Sequence, residues 1–295
     1  MTLANINIII TSYREQKTIK RAIACIAEHR IRDSEIIVVA PDKETLSEAE
    51  KLTTLYKNLI ILKDRGEGKS SALNFAVSRS KGKILILTDG DVFVGKNSLK
   101  FLLENFKDNK IGAVSGNPVS LNKIDNKYGF WAYVLTNIAN LRRKRAVAIK
   151  KRFFCSGYLF AIRRELFPLL PENLLSEDGY ISHIVYQKGA KICYDERAKV
   201  YVTYPDNIKD WINQKRRSAG GYNQNYKILG VKIRSFSSES SGAFDFFRYV
   251  TNVRETAWLI GLFLTRLYLW FLIYRDINIR KKGRKDLWLR VESTK

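Results

Sequence analysis

A chain of 295 residues that is 45% hydrophobic and 12% aromatic can bury a substantial core, which excludes a disordered protein and a minimal domain. Its 52 basic against 29 acidic side chains leave a formal charge of +23, so an anionic partner is expected: nucleic acid, anionic lipid or a phosphorylated substrate. Cys25, Cys155 and Cys193 form no C-x-x-C pair, which argues against a cysteine zinc site or a dithiol motif and fits a reducing compartment.

From the N-terminus, Asn5 and Asn7 lead straight into Ile8-Ile9-Ile10 with no small-residue cleavage site behind them, so the N-terminal part is expected to stay in the cytoplasm. Short β-branched runs then alternate with segments of helical spacing. "INIIIT" (6–11), "EIIVVA" (35–40), "NLIIL" (58–62), "KILILT" (83–88) and "IGAVSG" (111–116) read as strands, and 16–29, 43–56, 69–81 and 97–107 as helices. This is the pattern of an α/β fold, a mostly parallel sheet covered by helices, in which ligands bind beyond the carboxyl ends of the strands. After 117 the periodicity is mixed: an amphipathic "YGFWAYVLTNIANLRR", a strand-like "SGYLFAIRRE", a helical "EDGYISHIVYQKG" and two strands, "KICYD" and "AKVYVTYP". These read as a second half packed on the same sheet.

"LILTDGDVF" (85–93) carries two carboxylates, Asp89 and Asp91, to the end of an apolar strand in a strongly basic chain. A solvated Asp-Gly turn is one reading; a divalent-cation site facing a diphosphate is the other. The segment before it, "DRGEGKSSALN", favours the second. Gly66 and Gly68 permit close backbone approach, and Lys69 stands at a helix start where partial positive charge suits a phosphate. The loop is not a Walker motif, because G-x-x-x-x-G-K is absent.

The ordered set "TSYRE" (11–15), "VVAPD" (38–42), "GKSSALN" (68–74), "TDGD" (88–91), "SED" (176–178) and "QKRR" (214–217) resembles the family 2 glycosyltransferases of GT-A fold, over roughly residues 5–225. That resemblance implies an inverting, metal-dependent transferase using a nucleotide-sugar donor, with a UDP-sugar expected. Asp91 would ligate Mn²⁺ or Mg²⁺, and Asp89 would bind the ribose or assist the ion through water. Ser12, Tyr13 and Glu15 match the turn that lines the nucleotide base, and Asp42 matches a carboxylate that pairs with a uracil N–H; alternatively, Asp42 caps the following helix. Here the chain reads "APDK" where the family often has Asp-Asp-Gly-Ser. Glu177 and Asp178 match the acceptor-side acidic pair, with Asp178 the expected general base; the plainer alternative is an acidic helix start. Gln214 and Arg217 match Q-x-x-R, whose guanidinium suits a diphosphate, but the tryptophan that usually follows in processive synthases is Ser218. His29 and His183 lack partners at metal spacing, and Cys155 reads as a small buried residue rather than a nucleophile.

"AWLIGLFLTRLYLWFLIY" (257–274) is 18 residues long and interrupted only by Thr265 and Arg266, followed by the basic "RDINIRKKGRK" (275–285). A single span would carry that basic tail outward against the positive-inside tendency. A helix or helical hairpin lying in the cytoplasmic interface, with "FDFFRYVTNVRE" as its first arm, avoids the conflict; a soluble packing helix is the other alternative. The basic run "LRRKRAVAIKKRF" (141–153) points toward an anionic surface as well.

Together these readings give a GT-A catalytic domain over 1–225, with a nucleotide-sugar-binding half (1–116) and an acceptor-side half (117–225), and a membrane-associating helical segment with a basic tail over 226–295. The expected partners are a nucleotide-sugar donor, a glycan or lipid-linked acceptor and an anionic membrane surface reached through 257–285, at the inner face of the cell membrane. Two rivals are a basic nucleic-acid-binding protein and a nucleotidyltransferase with the same kind of sheet-edge metal site. Nucleic acid is not expected, because no zinc finger, RNA-binding aromatic motif or basic heptad region is present.

Overall fold

A computed structural model describes residues 5–172, 174–230, 243–275 and 291–294. β1 (Ile6–Thr11), β2 (Ser34–Ala40), β3 (Leu59–Lys63) and β4 (Ile84–Asp89) pair in parallel in the order β3-β2-β1-β4. The apolar alternation explains why. Ile8, Ile10, Ile36, Val38 and Ile86 face one side, while Ile9, Ile37, Val39, Leu85 and Leu87 face the other, and both sets are buried. The helices α1 (Ile19–Ala27), α2 (Lys43–Glu50) and α4 (Ser98–Glu104) cover the first face; α3 (Lys69–Arg79) and α6 (Glu177–Gln187) cover the second.

The sheet continues past β4 through β7 (Leu159–Arg163), β6 (Ile111–Ser120), β8 (Lys191–Val202) and β5 (Val92–Val94). β7 runs antiparallel to β4 and β6, and β5 antiparallel to β8, whereas β6 and β8 are parallel. Only β5 was not anticipated: three buried residues directly after the Asp-Gly-Asp are too few for a periodic signal.

Several boundaries differ from the sequence reading. The helix expected over 43–56 ends at Glu50, and that over 97–107 ends at Glu104, with a 3₁₀ turn over Asn105–Lys107. The two strands expected at 191–205 are one strand, β8. Ser115 pairs with Tyr194 and Asn117 with Lys199, so residues 195–198 bulge opposite Gly116 alone. Their polar side chains resemble a turn in sequence, but Asp195 is held in the bulge by Arg197 (2.8 Å) and Asn105 (3.0 Å).

A third apolar cluster lies outside the sheet. α5 (Lys127–Ala148), α7 (Ile208–Leu229) and α8 (Val253–Tyr274) join through Phe130, Trp131, Trp211, Leu259 and Leu262, and the Trp131 indole donates to Trp258 O at 2.7 Å. α7 runs through the boundary expected at 225. The segment expected as a first helical arm forms a 3₁₀ turn over Ala243–Tyr249 instead, and Asn252 caps α8 by accepting from Glu255 N at 3.0 Å. Most of the 275–285 basic run lies outside the described residues.

α8 buries one face and leaves another bare. Ile260, Leu264, Leu267, Phe271 and Tyr274, spaced at alternating three and four residues, are each more than half exposed. The basic run on α5 is partly consumed internally: Arg145 forms a two-point pair with Asp245, Lys144 reaches Glu196 at 2.7 Å, and Arg143 lies over Tyr194.

Candidate active site

The carboxyl ends of β1 and β4 stand side by side, with Thr11 in register with Asp89. Thr11 Oγ1 donates to Asp89 Oδ1 at 2.9 Å and Lys69 Nζ reaches the same oxygen at 2.5 Å. Lys69 is the first residue of α3, delivered there by Gly68 at φ +105°, a conformation that disfavours any residue with a Cβ. Burial works against the Lys69 charge, but the carboxylates of Asp89, Glu177 and Asp178 outweigh it and raise its pKa. One ammonium thus ties the Asp-Gly-Asp turn to the acidic start of α6.

Ser12 and Glu15 are buried, and Ser12 Oγ donates to Glu15 Oε2 at 2.6 Å. They underlie Gly90: a Cβ there would fall 2.4 Å from Ser12 Oγ, 2.5 Å from Glu15 Oε2 and 3.0 Å from Ser12 Cβ. Gly90 N donates to Thr11 O and Thr18 Oγ1 to Gly90 O, so the turn between the two carboxylates is bonded on both sides. Tyr13 differs from its neighbours. It is exposed, and the Arg14 guanidinium lies 5.3 Å from its ring centre, presenting a flat polar surface at the sheet edge.

Asp42 caps α2. Its Oδ1 accepts from Thr45 N (3.0 Å) and Thr45 Oγ1 (2.6 Å), and its Oδ2 accepts from Arg14 N (2.8 Å). Burial alone would raise its pKa, yet these donors hold the carboxyl below its usual range. The capping alternative is therefore present in the structure, and Asp42 fixes the position of Arg14 besides.

On the far side of the cleft, Asp178 Oδ1 accepts from Ser176 Oγ (2.7 Å) and Gly179 N (2.9 Å), and Oδ2 from Gly157 N (3.1 Å). The side chain is clamped between α6 and the start of β7. Burial raises the Glu177 pKa, opposed by Lys69 and reinforced by Asp178 and Asp89, and Ser70 Oγ stands 3.5 Å from its Oε1. α7 braces this turn: Asn225 Nδ2 donates to Ser176 O at 2.9 Å, and Gln224 Oε1 accepts from Leu175 N at 2.9 Å. Gln214 on the same helix is buried, and its Oε1 has no hydrogen-bond partner among the described residues.

Tyr158, which the sequence reading passed over, lies at the centre. Thr88 Oγ1 donates to its carbonyl at 2.8 Å because β4 and β7 pair antiparallel. Its phenol is pushed up to about 12 by burial, with Asp91 and Asp89 raising it and Arg217 and Lys69 opposing them. The charges of Asp91, Asp89, Lys69 and Arg217 thus all act on this one partly buried phenol. Of the residues singled out in the sequence, Lys69 and Asp89 are brought into direct contact, Ser12 bonds Glu15, Asp42 bonds Thr45 and the Arg14 backbone, and Asp178 bonds the Gly157 backbone.

Among the described residues no three His, Cys, Asp or Glu side chains converge on one point. A cation here needs oxygens from elsewhere. Asp89 and Asp91 fit a hard divalent ion carried by a diphosphate, which typically takes only one or two carboxylates from protein. Burial lowers the pKa of both His29 and His183 and raises the Cys155 thiol to about 12, which keeps that thiol protonated and a poor nucleophile.

The family described as Glycosyl transferase family 2 matches residues 7–169, more than half of the chain. The chain belongs to glycosyl transferase family 2. This glycosyltransferase-family chain is 26% identical over 182 residues to the O-antigen chain rhamnosyltransferase WbaN of Salmonella anatum, covering 57% of this chain and 56% of that one. It is 26% identical over 254 residues to the probable glycosyltransferase YdaM of Bacillus subtilis (79% and 58%), and 23% identical over 184 residues to the hyaluronan synthase of Streptococcus pyogenes (55% and 42%). It thus spans about half the length of these relatives. A solved mannosyltransferase of Pyrobaculum calidifontis, in complex with GDP-Man and Mn²⁺, superposes with a TM-score of 0.64 at 18% identity over 96% of this chain and 89% of that one. The fold is the GT-A fold expected from the sequence.

Proposed function

We propose that this chain transfers a sugar, with inversion, from a nucleoside-diphosphate sugar to an acceptor presented at the cytoplasmic face of a membrane. The observation that carries the reading is the Lys69–Asp89 pair at the end of β4, with Glu177 and Asp178 acting on the same ammonium and Asp91 and Arg217 on Tyr158, a grouping of opposite charges suited to a diphosphate and a hydroxyl nucleophile. In the Pyrobaculum neighbour, a fold of this kind holds GDP-Man and Mn²⁺. The rhamnosyltransferase and hyaluronan synthase relatives support a glycan or lipid-linked acceptor and a place in polysaccharide or glycolipid synthesis.

In this reading Asp89 and Asp91 hold a Mn²⁺ or Mg²⁺ ion, which neutralises charge on the diphosphate leaving group. Lys69 and Arg217 bind diphosphate oxygens, and Gln214 turns its unpartnered oxygen toward the donor. Tyr13 and Arg14 offer the nucleotide base a stacking surface, which favours no particular base. Asp178, held by three donors, accepts the proton of the attacking hydroxyl, and Glu177 orients that hydroxyl. Residues 1–116 supply the donor half and 117–225 the acceptor half.

The bare face of α8 lies in the bilayer interface, and the basic run that follows it in sequence (275–285) meets anionic headgroups. α8 is also long and apolar enough to cross a membrane, with 28% of its most apolar window buried. The interfacial placement is favoured because its other face is built into the cluster of Trp131, Trp211 and Leu262. Nucleoside diphosphate release from UDP-, GDP- and dTDP-sugars, with and without Mn²⁺ or Mg²⁺ and lipid extract, tests the reading; pyrophosphate release would instead identify a nucleotidyltransferase.

A further inference from the structure

Asp89 already has a cation. Its Oδ1 accepts both Lys69 Nζ at 2.5 Å and Thr11 Oγ1 at 2.9 Å, although the Lys69 and Asp89 side chains remain 33% and 21% exposed. A lysine free to reach water gives up solvation and rotamer freedom to hold this position. The loop is shaped to hold it there: Gly66 and Gly68 both adopt positive φ, and Lys69 opens α3. The carboxylates of Glu177 and Asp178 also favour the charge on the same ammonium, and the next residue, Ser70, has its Oγ 3.5 Å from Glu177 Oε1. Among the described residues no third His, Cys, Asp or Glu side chain joins Asp89 and Asp91 in a metal-holding group.

We propose that Lys69 is the resident counter-cation of Asp89, which keeps divalent ions off Asp89 and Asp91 while no nucleotide is bound and moves to the diphosphate when nucleotide and divalent ion enter together. The inference rests on the reading of Asp89 and Asp91 as the ion's carboxylates. A divalent ion arriving alone meets an occupied carboxylate and a like charge. Arriving with a nucleoside diphosphate, it brings new anionic oxygens that take over the ammonium. Metal and nucleotide affinities are then mutually enhancing, by the reciprocity that governs any two linked sites. A unit charge about 5 Å from a divalent ion changes its binding by about tenfold even with water-like screening, so the effect is measurable.

The test is Mn²⁺ titration of the full chain, followed by the paramagnetic resonance of free Mn²⁺, without nucleotide and with saturating UDP or GDP. Native protein is expected to bind Mn²⁺ at least tenfold more tightly with one of the nucleotides. Lys69→Gln is expected to bind Mn²⁺ alone about tenfold more tightly than native and to lose most of the nucleotide's enhancement, while Lys69→Arg, which keeps the charge, behaves as native. Equal Mn²⁺ affinity in native protein with and without nucleotide overturns the inference, and that comparison needs no variant to fold. Nucleotide-dependent binding that disappears in Asp91→Ala but is unchanged in Lys69→Gln removes the role of Lys69 alone. No Mn²⁺ binding by native protein under any condition removes the carboxylate reading of the site as well.

Discussion

Replacing Gly90 with alanine tests how the Asp-Gly-Asp turn is held. Gly90 does not adopt positive φ, so alanine meets no backbone penalty and the effect comes from contact alone. The new Cβ would lie 2.4 Å from Ser12 Oγ, 2.5 Å from Glu15 Oε2 and 3.0 Å from Ser12 Cβ. The Ser12 and Glu15 side chains are buried and bonded to each other, so relief requires breaking their 2.6 Å bond or lifting the turn. Overpacking of this kind costs about 1–3 kcal/mol, a fall in Tm of about 2–5 °C for a chain of this size. Lifting the turn displaces Asp89 and Asp91 together, and a misplacement of about 1 Å reduces turnover roughly a hundredfold. Scanning calorimetry and donor turnover are measured on Gly90→Ala and on Gly90→Ala combined with Ser12→Gly, which removes the closest atom and should recover part of both losses. A Gly90→Ala protein with native Tm and native turnover would refute the claim that Ser12 and Glu15 brace the turn.

Asp178→Asn should lower transfer by about 10²–10⁴ while leaving donor affinity within about threefold, measured as product formation alongside nucleotide-sugar titration. Asp42→Ala should cost about 1–2 kcal/mol through loss of the α2 cap, seen in urea melts near neutral pH. Because the folded Asp42 pKa lies below the ordinary value of 3.8, this contribution is full above 3.8 and fades as pH falls through the folded value, so native and variant stabilities should converge in acid. Leu264→Ser with Leu267→Ser should weaken sedimentation with anionic vesicles about a hundredfold or more, since each removes an apolar side chain worth about 1.5–3 kcal/mol on burial. Both residues are exposed in the free protein, so Tm should hold.

The parts of the fold most legible in the sequence are those made by local pattern. The buried runs of β1 to β4 announce themselves by continuous Ile, Leu and Val, and the Asp-Gly-Asp sits at the end of one of them. β8 reads as two strands because Asp195, Glu196 and Arg197 look like a turn, and only the pairing of Tyr194 and Lys199 with β6 on either side, with Asn105 holding Asp195, reveals a bulge. The roles of Tyr158 and Asn225 come from strand pairing and helix docking between residues 70 and 49 positions apart, which no spacing rule encodes. Ser12, Glu15 and Asp42 show the converse. Their types are recognisable from motifs, but the bonds of Ser12 to Glu15 and of Asp42 to Thr45 and the Arg14 backbone come only from the fold. The stretch at 257–274 was legible as apolar, but only packing against α5 and α7 separates its buried face from its bare one.

The most direct test of the central claim is nucleoside diphosphate release from a panel of UDP-, GDP- and dTDP-sugars with Mn²⁺ or Mg²⁺, in the presence of lipid extract, comparing native protein with Asp91→Ala. The account predicts that one donor gives metal-dependent release of nucleoside diphosphate, and that Asp91→Ala, with native Tm, loses it by a factor of at least about a hundred. Release that persists in Asp91→Ala, or native protein that neither binds nor turns over any donor, would contradict it.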